Sequence, residues 1–298
     1  MQEQTFGPIR FIPGENRGKY PYCHSVYIDG AGILIDPASD RGRLKRLRDE
    51  SEVKAVWLSH WHEDHFMHID LFDDLPLWIS PSDAPMLTDI DHFLDGYGVE
   101  DDSERKAWTA IMTETFHFKP RQASGFLKGG ETIQLDTVTV DIIAAPGHTP
   151  GHLCFLFKEP GVLFLGDYDL TPFGPWYGDR FSSIAETVAS VRHLKTIPAQ
   201  VWLTCHEVGL FTQPPGDLWE DYLGVIQTRE DRLLDFLKIS RTLDEIVNAW
   251  IVYRKPREPL DFYAFAERAL ITKHLETLLN SKKVRFRNHR YHRLDAAL

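Results

Sequence analysis

Cysteine is scarce in this chain, with three in 298 residues. Their positions, 23, 154 and 205, make no paired framework, which excludes a disulfide-stapled scaffold and fits a reducing compartment. Long apolar runs are lacking too. None approaches the roughly 20 residues that a membrane-spanning helix needs, so no membrane partner is expected. The amino terminus, Met1-Gln2-Glu3-Gln4-Thr5-Phe6-Gly7-Pro8, has neither the basic nor the apolar region of a secretory signal, and a cytoplasmic protein is the expectation. No serine or cysteine sits in a recognisable nucleophile elbow, so covalent catalysis is not called for. Basic charge is short as well, 33 Lys+Arg against 44 Asp+Glu, a net −11 with histidines neutral. The deficit is uneven: residues 217–298 hold 15 basic and 13 acidic side chains, leaving 18 against 31 for residues 1–216. An acidic first part is a poor general platform for polyanions, although bound cations would reverse the field locally.

What the chain does have is histidine placed at strand ends. Ser59-His60-Trp61-His62-Glu63-Asp64-His65 follows the apolar run Val53-Lys54-Ala55-Val56-Trp57-Leu58, which reads as a buried strand. A strand-anchored loop holds side chains rigidly, and adjacent residues in it point different ways. His60 and His62 can thus face one ion, while Asp64 and His65 turn to a second. The arrangement recurs: Gly147-His148-Thr149-Pro150-Gly151-His152 follows a strand over 138–145, Val162-Leu163-Phe164-Leu165 runs into Gly166-Asp167, and Gln200-Val201-Trp202-Leu203-Thr204 runs into Cys205-His206.

A His-x-His-x-Asp-His loop followed by a lone His, an Asp and a last His resembles the signature of the metallo-β-lactamase superfamily, in order and spacing from Ser59 to His206. The resemblance implies a four-layer αββα sandwich with metals at one edge of the paired sheets. It also implies that His60, His62 and His148 bind a first ion, that Asp64, His65 and His206 bind a second, and that Asp167 bridges them. Imidazole and carboxylate suit zinc, iron or manganese, and the lack of thiolate argues against a purely structural zinc cage. Zinc is the expected ion. Water between two such ions becomes hydroxide near neutral pH, since coordination lowers its pKa from 15.7 to about 7. One departure stands out: Phe66-Met67-His68 occupies the place where many relatives have glycines, which predicts a differently started helix and a narrowed pocket.

Other residues near the motifs carry lesser expectations. His152 and His68 are candidates for partners behind the ligands, His24 for the pocket wall, and Glu63 for solvent. Cys205 should point away from the site by backbone alternation. The loop Tyr168-Asp169-Leu170-Thr171-Pro172-Phe173-Gly174-Pro175-Trp176-Tyr177-Gly178 is rich in aromatics and turn formers, as a substrate wall would be. Within it Tyr168 and Tyr177 are candidate catalytic donors to a developing oxyanion, beside Asp64 and Asp167.

After Pro214-Pro215-Gly216 the texture turns helical. The expected division is a catalytic domain over 1–216 and a carboxy-terminal domain over 217–298. The latter should contain helices over 218–237, from the Thr242-to-Glu245 capping box through 252, and over 261–279, then a basic hairpin over 282–293. That order resembles a winged-helix module. The hairpin holds Lys282, Lys283, Arg285, Arg287, Arg290 and Arg293 with no acidic residue between; a solvated face or a clamp on the acidic domain is the simpler reading.

The sequence thus points to a dinuclear metallo-hydrolase acting on a small-molecule ester, thioester or lactone. Two rivals share its ligands. In an iron-dependent sulfur dioxygenase, His60, His148 and Asp167 would form a two-histidine, one-carboxylate triad, while a nucleic-acid-processing, endoribonuclease-like enzyme would use the basic hairpin. Oligomeric state is left open, a homo-oligomer included.

Overall fold

The computed structural model describes residues 1–50 and 53–294; the last four positions of the expected 217–298 domain lie outside them. Seven strands form the first sheet in chain order: β1 (Gln4–Phe6), β2 (Ile9–Ile12), β3 (Ser25–Ile28), β4 (Ile33–Ile35), β5 (Ala55–Trp57), β6 (Leu77–Ile79) and β7 (Gly125–Phe126). The first four pair antiparallel, and β4 to β7 run parallel. Parallel neighbours need crossover connections. Helix α1 (Arg41–Glu50) supplies one before β5, and α2 (Ile90–Tyr97) with α3 (Asp102–Glu114) supplies another before β7. The second sheet holds β8 (Thr132–Gln134), β9 (Thr139–Ala144), β10 (Leu153–Phe157), β11 (Val162–Phe164), β12 (Val201–Leu203) and β13 (Leu210–Phe211), again in chain order. Its one parallel pair, β11 with β12, is crossed by α4 (Ile184–Lys195).

Strand alternation builds the layers. In β10, Leu153, Phe155 and Phe157 join Phe11, Val26, Leu34 and Trp57 of the first sheet in one core, while Cys154 on the other face packs with Val191 and Leu194 of α4. β11 repeats this, with Val162 and Phe164 turned to the first sheet and Leu163 turned out. Two sheets face to face with helices outside are the expected αββα sandwich. Strands β1, β6, β7 and β13, each two or three residues long, are too short to announce themselves by alternation.

The carboxy-terminal part follows its expected order: α5 (Leu218–Phe236), α6 (Leu243–Val247), α7 (Leu260–Asn280), then β14 (Val284–Arg287) paired with β15 (Arg290–Arg293). Asn288 and His289 both take positive φ, 52° and 57°, as a tight hairpin turn requires. Thr242 and Glu245 form the capping box of α6. That helix stops at Val247, short of 252: Trp250 adopts left-handed backbone at φ 51°, and the buried Glu267 carboxylate takes the backbone N–H groups of Val252 and Tyr253 at 2.9 and 3.0 Å. This part has its own core, centred on Leu233, Ile246, Leu270 and Leu278, which also takes in Tyr177 and Ile184 of the sandwich. No described helix is long and apolar enough to cross a membrane.

Candidate metal centre

The four strand-end segments meet at one edge of the sandwich. His60 Nε2, His62 Nδ1 and His148 Nε2 face one another at 3.0–3.1 Å. The outer nitrogen of each ring is engaged. His62 Nε2 donates to Asp179 Oδ2 at 2.7 Å, and His148 Nδ1 to the Trp176 carbonyl at 3.2 Å. Ser59 Oγ spends its proton on Asp36 Oδ2 at 2.7 Å and so accepts from His60 Nδ1 at 2.9 Å. With protons fixed outside, three lone pairs converge on one point, a repulsive arrangement unless a cation sits among them. Tetrahedral zinc with bonds near 2.0–2.1 Å would separate its nitrogens by about 3.3 Å, close to the spacing seen.

A second cluster lies beside it. His65 Nδ1 donates to Asp36 Oδ2 at 3.0 Å, and His206 Nδ1 to the carbonyls of Gly18 and Tyr22 at 2.6 and 3.0 Å. Their free nitrogens point at carboxylates: His65 Nε2 lies 2.9 Å from Asp167 Oδ1, and His206 Nε2 lies 3.3 Å from both Asp167 Oδ1 and Asp64 Oδ2. His65 Nε2 and Asp167 Oδ1 are buried without a hydrogen-bond partner. Asp167 stands between the clusters, since its Oδ2 is 3.3 Å from His148 Nε2 and 3.9 Å from His60 Nε2. The donor set therefore fits two ions sharing one carboxylate, in the grouping expected from the sequence.

Electrostatics agree with a site built for cations. Burial works against charge on His62, but the Asp179 carboxylate overrides it and raises the imidazole to about 9. Burial and the neighbouring His65 push His60 well below its usual range. Burial disfavours an ionised Asp167 as well, yet His65, His206 and His148 hold its carboxyl well below the usual range. Protons and metal thus compete for these nitrogens, and metal uptake releases protons.

The centre opens into a pocket of about 570 Å³, within the usual size for small-molecule sites. Phe173 and Trp176 of the aromatic loop line its wall. Tyr168 and Tyr177 do not belong to that wall, which corrects their expected catalytic role. Both are fully buried. The Tyr168 hydroxyl donates to the carbonyls of Ala145 and Pro146 at 2.9 and 3.0 Å, and that of Tyr177 sits between Arg229 Nη1 and His274 Nε2, 2.8 Å from each. Tyr168→Phe and Tyr177→Phe should therefore keep kcat near that of the parent and each lose ~0.5–1.5 kcal/mol of stability. Steady-state kinetics and thermal melts check this; a 100-fold drop in kcat would restore the oxyanion role.

Other neighbours depart from expectation too. Glu63 is buried rather than solvated and takes the hydroxyls of Tyr20, at 2.8 Å, and Tyr97. His24 sits behind the wall, accepting from Gly14 N at 2.8 Å and packed against Gly18 and Gly209. His152 is a partner behind the ligands, its Nε2 accepting the Asp167 backbone N–H at 3.1 Å. Cys205 is buried away from the pocket, 3.6 Å from Asp36 Oδ2. Phe66, Met67 and His68 are buried outside the pocket and do not narrow it, and the motif continues in short 3-10 turns at Glu63–His65 and Ile69–Phe72 rather than in a helix. Sequence reasoning missed Asp36, Asp83 and Asp179. Asp36 ends β4 just as the ligands end their strands, a usable signal. Asp83 takes Thr149 Oγ1 and Gly151 N at 2.6 and 2.7 Å to pin the His148 turn; neither it nor Asp179 sits in a motif.

Comparison with known proteins places this geometry in a family. Residues 19–206 match the model described as the metallo-beta-lactamase superfamily. A probable metallo-hydrolase of Streptococcus pyogenes serotype M6 is 30% identical over 170 residues, 55% of this chain and 66% of its own length. A lactamase-like protein of Trichophyton rubrum is 25% identical over 282 residues, 86% of this chain and 74% of its own. An uncharacterised Mycobacterium leprae protein is 34% identical over 152 residues, 48% of this chain and 65% of its own. Among solved structures, a metallo-beta-lactamase family protein from Thermus thermophilus superposes with a TM-score of 0.72 at 21% identity, covering 96% of this chain and 99% of that one. With a family model matched over most of the chain and all seven signature residues gathered at one sheet edge, the chain belongs to the metallo-beta-lactamase superfamily.

Proposed function

We infer that the protein is a dinuclear metal-dependent hydrolase of a small-molecule ester, thioester or lactone, with zinc as the resident ion. The observation that carries this is the convergence of five imidazole lone pairs on two points that share the Asp167 carboxylate, in a pocket with aromatic walls. Two bound divalent ions would supply a water-derived nucleophile near neutral pH and Lewis-acid polarisation of the substrate carbonyl. The chain's own part is positional. Asp179, Trp176 and Ser59 orient the first three histidines, Asp36 and the Gly18 and Tyr22 carbonyls orient His65 and His206, and His152 holds the Asp167 backbone. In the reaction a water oxygen bonds to the carbonyl carbon, the carbon–sulfur or carbon–oxygen bond breaks, and the leaving thiol or alcohol takes a proton.

Residues 217–294 act here as a winged-helix-like module that closes the site, for Tyr253, Phe262 and Tyr263 line the pocket. Two of the hairpin cations serve the fold itself: Arg290 pairs with Glu245 at 2.7 Å, and Arg293 donates to the Leu234 carbonyl at 3.4 Å. That use favours the small-molecule reading over nucleic-acid processing. Protein stripped with a chelator and reloaded separately with zinc, iron or manganese should be assayed on thioester, lactone, phosphodiester and RNA substrates. Thioester, ester or lactone hydrolysis that vanishes on stripping and returns with zinc is expected. Cleavage of RNA or phosphodiester alone, or oxygen uptake on a sulfur substrate by the iron form alone, contradicts it.

A further inference from the structure

Among the residues lining the pocket, Arg257 stands out as a guanidinium with no protein acceptor. The side chain is exposed and, among the described residues, makes neither a hydrogen bond nor an ion pair; it contacts the faces of Tyr253 and Tyr263, whose ring centroids lie 5.3 and 5.8 Å from Cζ. Cation–π contact fixes the group without using its N–H fork, and that planar fork matches a carboxylate or phosphate in a bidentate way. Of the pocket's carboxylates none, the exposed Glu207 included, lies within ion-pair distance of Arg257 among the described residues, and Asp169 accepts the His206 backbone N–H at 2.9 Å. Asp64 and Asp167 face the metal histidines, and Glu63 takes two tyrosine hydroxyls. Lys19, on the same pocket wall, likewise has no carboxylate within ion-pair distance among the described residues.

Between these cations the wall is aromatic. Phe262 at the start of α7 stacks on Tyr20 at 5.4 Å and 21° and on Trp108 of α3 at 6.0 Å and 28°, so three rings from distant parts of the chain form one continuous face. A flat apolar group lies well against such a face. Beside that face the exposed Arg257 fork is open to a ligand anion.

Resting on the hydrolase reading above, we propose that the substrate is an ester or thioester with an aromatic-sized apolar acyl group and an anionic group, carboxylate or phosphate, away from the scissile bond, and that Arg257 is the residue that selects the anion. The carboxylate would sit on the acyl part, the phosphate on the leaving alcohol or thiol. Arg257 touches no reacting atom in this scheme and sets specificity.

Two measurements test it on the zinc-loaded full chain, comparing the parent with Arg257→Gln and Arg257→Lys. The first is calorimetric binding of 4-carboxyphenylacetate against phenylacetate, which reports on Arg257 whether or not any thioester is turned over. The parent should prefer the dianion at least tenfold, Arg257→Gln should lose that preference, and Arg257→Lys should keep part of it. The second compares kcat/KM for three thioesters: phenylacetyl on a neutral thiol, 4-carboxyphenylacetyl on the same thiol, and phenylacetyl on a phosphorylated thiol. A tenfold or greater preference for the second probe, lost in Arg257→Gln, assigns the anion to the acyl part; the same result for the third assigns it to the leaving group. Equal binding of the two acids by the parent, or an anion preference that survives in Arg257→Gln, overturns the proposal. Absence of any hydrolysis in the parent together with an Arg257-dependent preference in calorimetry would instead count against the hydrolase reading and for the anion site.

Discussion

Asp167→Ala lowers turnover by ~100-fold or more, beyond the ~10–100-fold typical of losing a partner behind a ligand, because it removes the one group shared by both ion positions. Its two oxygens divide between the clusters, Oδ1 toward His65 and His206, Oδ2 toward His148 and His60. No neighbour spans both clusters in its place: Asp64 and Asp169 group only with ligands of the second, and Asp179 is committed to His62. Steady-state kinetics on the best substrate of the panel, with metal content measured in the same samples, checks the expectation. Turnover equal to that of the parent would place the chemistry elsewhere.

Arg229→Met should produce the largest loss of stability. The guanidinium is 2% exposed and lies in the seam between α5 and the aromatic loop. It donates to the carbonyls of Pro175 and Phe173 at 3.0 and 2.6 Å and to the Tyr177 hydroxyl at 2.8 Å, with the Phe173 ring 4.7 Å away. Removing it strands two carbonyls without donors, each costing ~1–3 kcal/mol, so the variant should lose about 3–5 kcal/mol in denaturant unfolding. The same loop carries Trp176 and Asp179, which orient His148 and His62. Affinity for one of two ions should fall ~10–100-fold in a stepwise metal titration, as for other losses behind the ligands. Parent-like stability and affinity would show that the carboxy-terminal helices merely adjoin the catalytic part.

Much of the centre could be read from the sequence because each ligand immediately follows a run of strand residues. A strand end fixes direction in space, so the order His60, His62, Asp64, His65, His148, Asp167, His206 carried its geometry with it. The capping box at Thr242 and the turn at Asn288 were legible for a related reason: their chemistry is local. What could not be read depends on residues distant in sequence. His62 and Asp179 are 117 positions apart, and nothing in Gly178-Asp179 marks the carboxylate as a partner. Glu63 looked solvated until Tyr20 and Tyr97 closed over it. Tyr168 and Tyr177 belong to the right loop, but side-chain direction is set by packing, which turns both hydroxyls into the core.

The central claim is that seven side chains hold two ions through one shared carboxylate, and the count of ions per chain tests it most directly. Protein stripped with a chelator, titrated with zinc and freed of excess metal should contain two ions per chain by elemental analysis, falling toward one or none in Asp167→Ala. One ion at saturation in the parent chain, or two retained unchanged after loss of Asp167, would contradict the shared-carboxylate centre.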